Sequence, residues 1–141
     1  MHDTFPLPDL TWDATRPYYE AAARGDLAIP KCDECGRFVW YPREHCGGER
    51  LTWVPTSGQG RLFAWTVVRH AFLPQFRDLV PFVTALVSLE EDAAVRIVTR
   101  IVDCAVEDLA ADMPLRAVFR PLRFPGVDGE VVAPLFTPSD L

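Results

Sequence analysis

Three cysteines carry the strongest chemical signal in the chain: Cys32, Cys35 and Cys46, within KCDECGRFVWYPREHCGGER at residues 31–50. A Cys-x2-Cys pair can bend two thiolates onto one zinc ion, which favours four ligands in a tetrahedron. Gly36 allows the tight backbone such a turn needs, and the flanking Lys31 and Arg37 favour the thiolate form. A complete second knuckle would end in cysteine at position 49, where this chain has Glu49. The fourth ligand is therefore open: a Glu49 oxygen, a His45 ring nitrogen, or water. Zinc with three protein ligands and a water resembles a catalytic centre. Such a centre also needs a base and a shaped pocket, and this segment offers only Glu34 and Glu44. The ribbon reads as scaffold rather than chemistry. Without metal, the same three thiols would sit in a ribbon whose core is Phe38, Trp40, Tyr41 and Trp53.

No other residue set completes a reactive constellation. His2, His45 and His70 form no triad with a serine or cysteine. Cys104 lies far from the ribbon, in a turn between strands, and reads as a small buried residue. Glycine-rich phosphate loops are absent, which excludes the usual dinucleotide and nucleoside triphosphate sites.

The elements that must position these residues are mostly strands. DATRPYYEAAARGDL reads as a short helix, with Asp13 or Thr15 as cap, Pro17 in the first turn and Gly25 at the stop. After the ribbon, five segments alternate in the manner of strands: GRLFAWTVVRH, PFVTALVSL, AAVRIVTRIV, MPLRAVFRPL and GEVVAPLF. The third and fourth are separated by DCAVEDLAAD, which is helix-capable. Five strands with a helical link at that point match an OB-fold barrel. Phe63 and Trp65 then read as barrel core.

Ligands of OB-folds meet one face and the loops joining strands 1–2 and 4–5. Here those loops are HAFLPQFRDLVP and PLRFPGVDGE, carrying Phe72, Leu73, Phe76, Leu79 and Phe124, with His70 at the border. That is much apolar material for surface loops. It either folds back onto the barrel or forms a patch for a partner or an acyl chain.

The bulk properties bound the rest. With 141 residues, 49% of them hydrophobic, the chain can build one compact domain with an appended module. Four cysteines without an export signal favour metal or thiols over disulfides. No apolar run is long enough for a bilayer, so a soluble cytoplasmic protein is expected. The net charge of −6 counts against a nucleic-acid partner.

In order and spacing, these phrases resemble the zinc-ribbon plus OB-fold family catalogued as domain of unknown function 35. The likeness runs from about Thr15 to Pro138. It rests on GDLAIPKCDECGRFVWYPR, SGQGRLFAWTVV, VPFVTALVSLEE, VEDLAADMPLRAVF and the terminal PLFTP. The resemblance implies a mainly β fold: an N-terminal lead and helix (1–28), a rubredoxin-like ribbon, here degenerate (29–56), and a five-stranded OB barrel (57–141). It also implies a role in acyl-CoA metabolism beside a thiolase-fold enzyme, in an obligate hetero-oligomer. Relatives accompany sterol-carrier-protein-type thiolases, including aldol lyases acting on steroid side-chain CoA thioesters. Others serve hydratases or acetyl transfer. The partner in such assemblies carries the nucleophile and base, while the small subunit shapes the channel. The chain departs from the family at its second knuckle, where one cysteine is missing.

The expected function is thus a non-catalytic subunit of an acyl-CoA-processing complex, most specifically one performing a retro-aldol cleavage. Possible zinc at Cys32, Cys35 and Cys46 would be structural. CoA phosphates would draw on Lys31, Arg37, Arg43 and Arg50. Phe72, Leu73, Phe76, Phe124 and His70 would meet the partner or the acyl group. The alternatives are a subunit of an acetyl-transferring thiolase or hydratase complex, a stand-alone acyl-CoA binder and a single-stranded nucleic-acid binder.

Overall fold

The computed structural model describes residues 3–43 and 50–140. Its larger unit is a barrel of five strands: β4 (Gln59–Val68), β5 (Phe82–Leu89), β6 (Arg96–Ile101), β7 (Pro114–Arg123) and β8 (Val131–Pro138). A two-residue strand, β1 (Asp3–Thr4), joins the barrel in parallel beside Leu122 and Arg123 of β7. The antiparallel pairs β4–β5, β5–β6, β7–β8 and β4–β7 form most of the wall. A parallel bridge between Ile101 of β6 and Phe136 of β8 closes it. This is the strand order of an OB-fold, as the segment count predicts.

Alternation identifies the inward faces of β5 and β6 correctly. Val83, Ala85, Val87 and Leu89 are all buried, as are Val95, Ile97 and Ile101, and they share the core with Leu62, Leu115 and Phe136. Gly60 shows how tightly β4 is held. A Cβ there would stand 2.6 Å from the Ser88 carbonyl oxygen and 2.7 Å from Val87 Cγ1. Because one obstacle is backbone, Gly60→Ala is expected to cost roughly 1–3 kcal/mol. Chemical denaturation checks this; an unchanged midpoint would mean that the β4–β5 pair can part without loss.

Two expectations fail in the barrel. Phe63 and Trp65 are not core: Phe63 is 48% exposed and Trp65 37%. The register shifts at a bulge between Leu62 and Ala64; Phe63 stands at the bulge beside buried Leu62 and faces out, while Trp65, opposite buried Ala85, keeps more than a third of its surface open. The link between β6 and β7 is also not an α-helix. Only a 3-10 turn forms, at Val106–Asp108. Asp103 and Asp112 bracket it with positive φ angles of 54° and 66°, and a residue in that region ends a right-handed helix.

The smaller unit pairs β2 (Ala28–Cys32) with β3 (Leu51–Pro55), placing Cys32 opposite Leu51. Ahead of it runs the helix α1 (Arg16–Ala23), with Pro17 in its first turn. Thr15 is the N-cap residue but makes no side-chain cap bond, and Asp13 instead pairs with Arg16. Gly25, at φ +84°, ends the segment as expected. Tyr18, Ala21 and Ala22 are buried, and the helix packs on β8 and β2. Phe38, Trp40 and Trp53 pack against the common core. Tyr41 does not join it. It is half exposed, with its ring 5.7 Å from Trp12 and 5.5 Å from Trp40. The segment that follows the ribbon is tied to the barrel: Glu91 accepts hydrogen bonds from the Ser57 N–H at 2.7 Å and its hydroxyl at 3.0 Å.

Candidate partner interface and metal knuckle

The first cysteine pair sits in a knuckle. The Gly36 N–H donates to the Cys32 carbonyl at 2.8 Å, the Cys32 N–H donates to the Arg37 carbonyl at 2.9 Å, and Lys31 bridges Phe38. Gly36 has φ +72°, a conformation that glycine adopts without steric cost. The Thr52 hydroxyl donates to Asp33 at 2.5 Å and pins the turn to β3. Cys32 is buried and Cys35 exposed. Two thiols on such a turn fit half of a tetrahedral zinc site. Cys46, His45 and Glu49, the candidates for the other half, lie outside the described residues, as does Glu44. Among the described residues no cluster of three metal-binding side chains occurs.

The Lys31 ammonium lies 4.7 Å from the Phe38 ring centroid. Arg37, Arg43 and Arg50 are exposed, and among the described residues no ion pair engages them.

The apolar loops divide. Phe76, in a 3-10 turn at Pro74–Phe76, sits edge-on to Phe5 at 6.3 Å and tilted on Phe124 at 6.0 Å. Phe5 in turn meets Phe82 at 5.2 Å. These four rings join both loops to the N-terminal segment. Phe72 and Leu73 take no part, and are 89% and 55% exposed. His70, also exposed, stacks edge-on against Phe72 at 4.6 Å. The loop material therefore does both things: Phe76 and Phe124 fold inward, while Phe72 and Leu73 face solvent.

A second apolar surface lies on the outer wall. Ala64, Leu86 and Val98 are register partners across β4, β5 and β6, and Val98 is 75% exposed. Phe63 stands near them with the Arg96 guanidinium 3.9 Å above its ring. Sequence reading missed this face, although one signal was available. Val98 occupies an outward position between Arg96 and Arg100, where a polar residue is the rule for a solvated strand.

Arg100 anchors the N-terminal segment to this wall. Its Nη2 lies 3.1 Å from Asp3 Oδ2, and its guanidinium lies 3.8 Å over the Phe5 ring. Burial pulls the Arg100 pKa down from its ordinary value, Asp3 opposes that, and the Arg120 charge adds to the depression. Neither Asp3 nor Phe5 stood out in the sequence, because their role depends on a partner almost a hundred residues away.

Nothing among the described residues assembles an acid–base set. Burial pushes the phenols of Tyr18 and Tyr19 up, so neither is a ready base at neutral pH. Half-buried Cys104 is also pushed up, by burial and then by Asp108 and Glu107, which makes its thiol a poor nucleophile.

Family comparison bears on the ribbon and the barrel alike. A model of the ChsH2 rubredoxin-like zinc ribbon domain matches residues 20–52, and one of the ChsH2 C-terminal OB-fold domain matches residues 53–120. A DUF35 domain-containing scaffold protein of Methanocaldococcus jannaschii is 35% identical over 105 residues, covering 72% of either chain. Another, from Methanothermobacter thermautotrophicus, is 31% identical over 123 residues, or 84% of this chain and 90% of that one. Among solved structures, the Ltp2-ChsH2(DUF35) aldolase superposes with a TM-score of 0.74 at 28% identity, covering 95% of this chain and 98% of that chain. A DUF35 protein of unknown function from Sulfolobus solfataricus, at 16% identity and TM-score 0.54, shares the fold. With its ribbon, its barrel and this degree of identity, the chain belongs to the DUF35 family.

Proposed function

We propose that the chain is a non-catalytic scaffold subunit of an acyl-CoA-processing complex, bound to a thiolase-fold partner. The carrying observation is the full-length likeness to the chain of the Ltp2-ChsH2(DUF35) aldolase, which spans ribbon and barrel together. Two exposed apolar surfaces and the lack of an acid–base set among the described residues agree with it. Such a subunit raises rate by holding a thioester and a partner's reactive groups in alignment. The specific reaction we assign to the complex is retro-aldol cleavage of a bulky CoA thioester, such as a steroid side chain. Lys31, Arg37, Arg43 and Arg50 are the cations offered to the CoA phosphates. Their combined change to alanine is expected to weaken acyl-CoA binding by the complex at least tenfold, read by calorimetry; equal affinity would remove them from the site.

Zinc in the ribbon belongs to the same proposal. Cys32 and Cys35 would supply two of its ligands and Cys46 a third, with Glu49 or His45 completing the set. When bound, the ion cross-links the ribbon. Elemental analysis is expected to find about one zinc per chain, lost in Cys32→Ser and Cys35→Ser. A metal-free, folded wild-type chain would instead establish the ribbon as a structure held by packing alone.

The deciding experiment is recovery of the tagged chain from its native host, followed by mass spectrometry. A thiolase-fold protein in near-equal amount is the expected result, and its substrate then names the reaction. A lone chain would overturn the subunit reading, and binding of a single-stranded oligonucleotide on Phe63 and Trp65 would replace it.

A further inference from the structure

A cleft of about 240 Å³ opens between the N-terminal segment, α1 and the barrel wall. Phe5, Tyr18, Tyr19, Val98 and Pro134 are among its lining, and among the described residues Arg100 is its one charged group. For scale, an engineered apolar cavity of about 150 Å³ admits benzene, so this space accepts a chain of about ten carbons. The cleft adjoins a further apolar depression of about 310 Å³, with which it shares Thr84 and Val98. A longer tail therefore has room to continue across Leu86 toward Trp65.

The polar side of the cleft is just as selective. Arg100 has five N–H donors, and one hydrogen bond, from Nη2 to Asp3, engages them within the described residues. Its unpartnered nitrogens are not fully buried among the described residues. The pattern is the one small-ligand sites follow: mostly apolar walls and one placed polar group.

We propose that this cleft binds a medium-length acyl group, with its hydrocarbon against the aromatic rings and Val98 and its carbonyl end at Arg100. A free carboxylate and a CoA thioester share that chemistry. The thioester source rests on the function proposed above, whereas the site itself does not.

The test uses the full chain with decanoate, decanoyl-CoA and decanol, and reads affinity by calorimetry. Val98→Trp fills the cleft from a position 75% exposed, so the barrel core is untouched. Arg100→Met removes the carbonyl contact but keeps apolar volume. Decanoate, decanoyl-CoA or both are expected to bind, with Val98→Trp weakening them at least tenfold while melting at the wild-type temperature. Whichever of the two binds identifies the source. Arg100→Met is expected to weaken the acyl ligands and leave decanol unchanged. Binding indifferent to Val98→Trp, or no binding of either acyl ligand at millimolar concentration, overturns the site. Recovery of the partner in the host experiment is independent of these readings, so failure here leaves the subunit proposal standing.

Discussion

Phe136→Ala should be the most destabilising single change in the barrel, costing about 3–5 kcal/mol. Phe136 is the largest fully buried side chain and shows no exposed surface. It also sits at the seam. Its backbone pairs with Ala117 on one side and Ile101 on the other, and its carbonyl accepts the Val102 N–H at 2.8 Å. Truncation would remove the transfer energy of a whole ring and leave a cavity where a single parallel bridge closes the wall. Domains are stable by only about 5–15 kcal/mol, so the loss is a large share of the total. Urea denaturation is the check: the midpoint should fall by more than about 1 M with the slope unchanged. A shift equivalent to less than about 1 kcal/mol would mean that neighbouring strands collapse into the space and that the seam is soft.

The largest effect on association is expected from the loop tip. Phe72→Asp combined with Leu73→Asp should weaken capture of the partner by about 100-fold or more. Each of these side chains, once buried at an interface, would contribute roughly 1.5–3 kcal/mol. Carboxylates at the same points would have to be desolvated without counter-ions, and about 1.4 kcal/mol is a factor of ten. Because both residues are exposed in the isolated chain, its melting temperature should stay the same. Phe76→Asp supplies the contrast. It breaks the ring contacts with Phe5 and Phe124, so it should lower stability and affinity together. If the double variant still assembles normally, the interface lies elsewhere, and the outer wall at Phe63, Leu86 and Val98 is the next surface to change.

Much of the barrel was legible because period-two alternation is a local property. Val83, Ala85, Val87 and Leu89 declare one buried face without reference to any other strand. The knuckle was legible for the same reason: Cys32, Cys35 and Gly36 lie within one turn, and the turn itself imposes their geometry. The failures have equally definite causes. Phe63 and Trp65 were misplaced because a bulge at Phe63 has no compositional signature, yet it breaks the two-residue alternation from which faces are read. The helix at 103–112 was expected from alanine and acidic residues, but helix propensity is a weak constraint, and it lost to two positive-φ aspartates that fix the chain's course.

Local patterning encodes the set of elements and their family: five strands, a ribbon opened by a Cys-x2-Cys turn, and a short helix ahead of them. These are encoded in spacings of two to four residues, within reach of local sterics and patterning. Long-range packing sets which apolar residues face solvent and where the cleft opens. Phe76 turns inward because Phe5 is there to meet it, and Phe72 has no such partner. Likewise the cleft exists because Asp3 holds Arg100 and draws the N-terminal segment across the barrel. Contacts of that range arise from closure of the whole chain, where the position of each side chain depends on every strand between it and its neighbour.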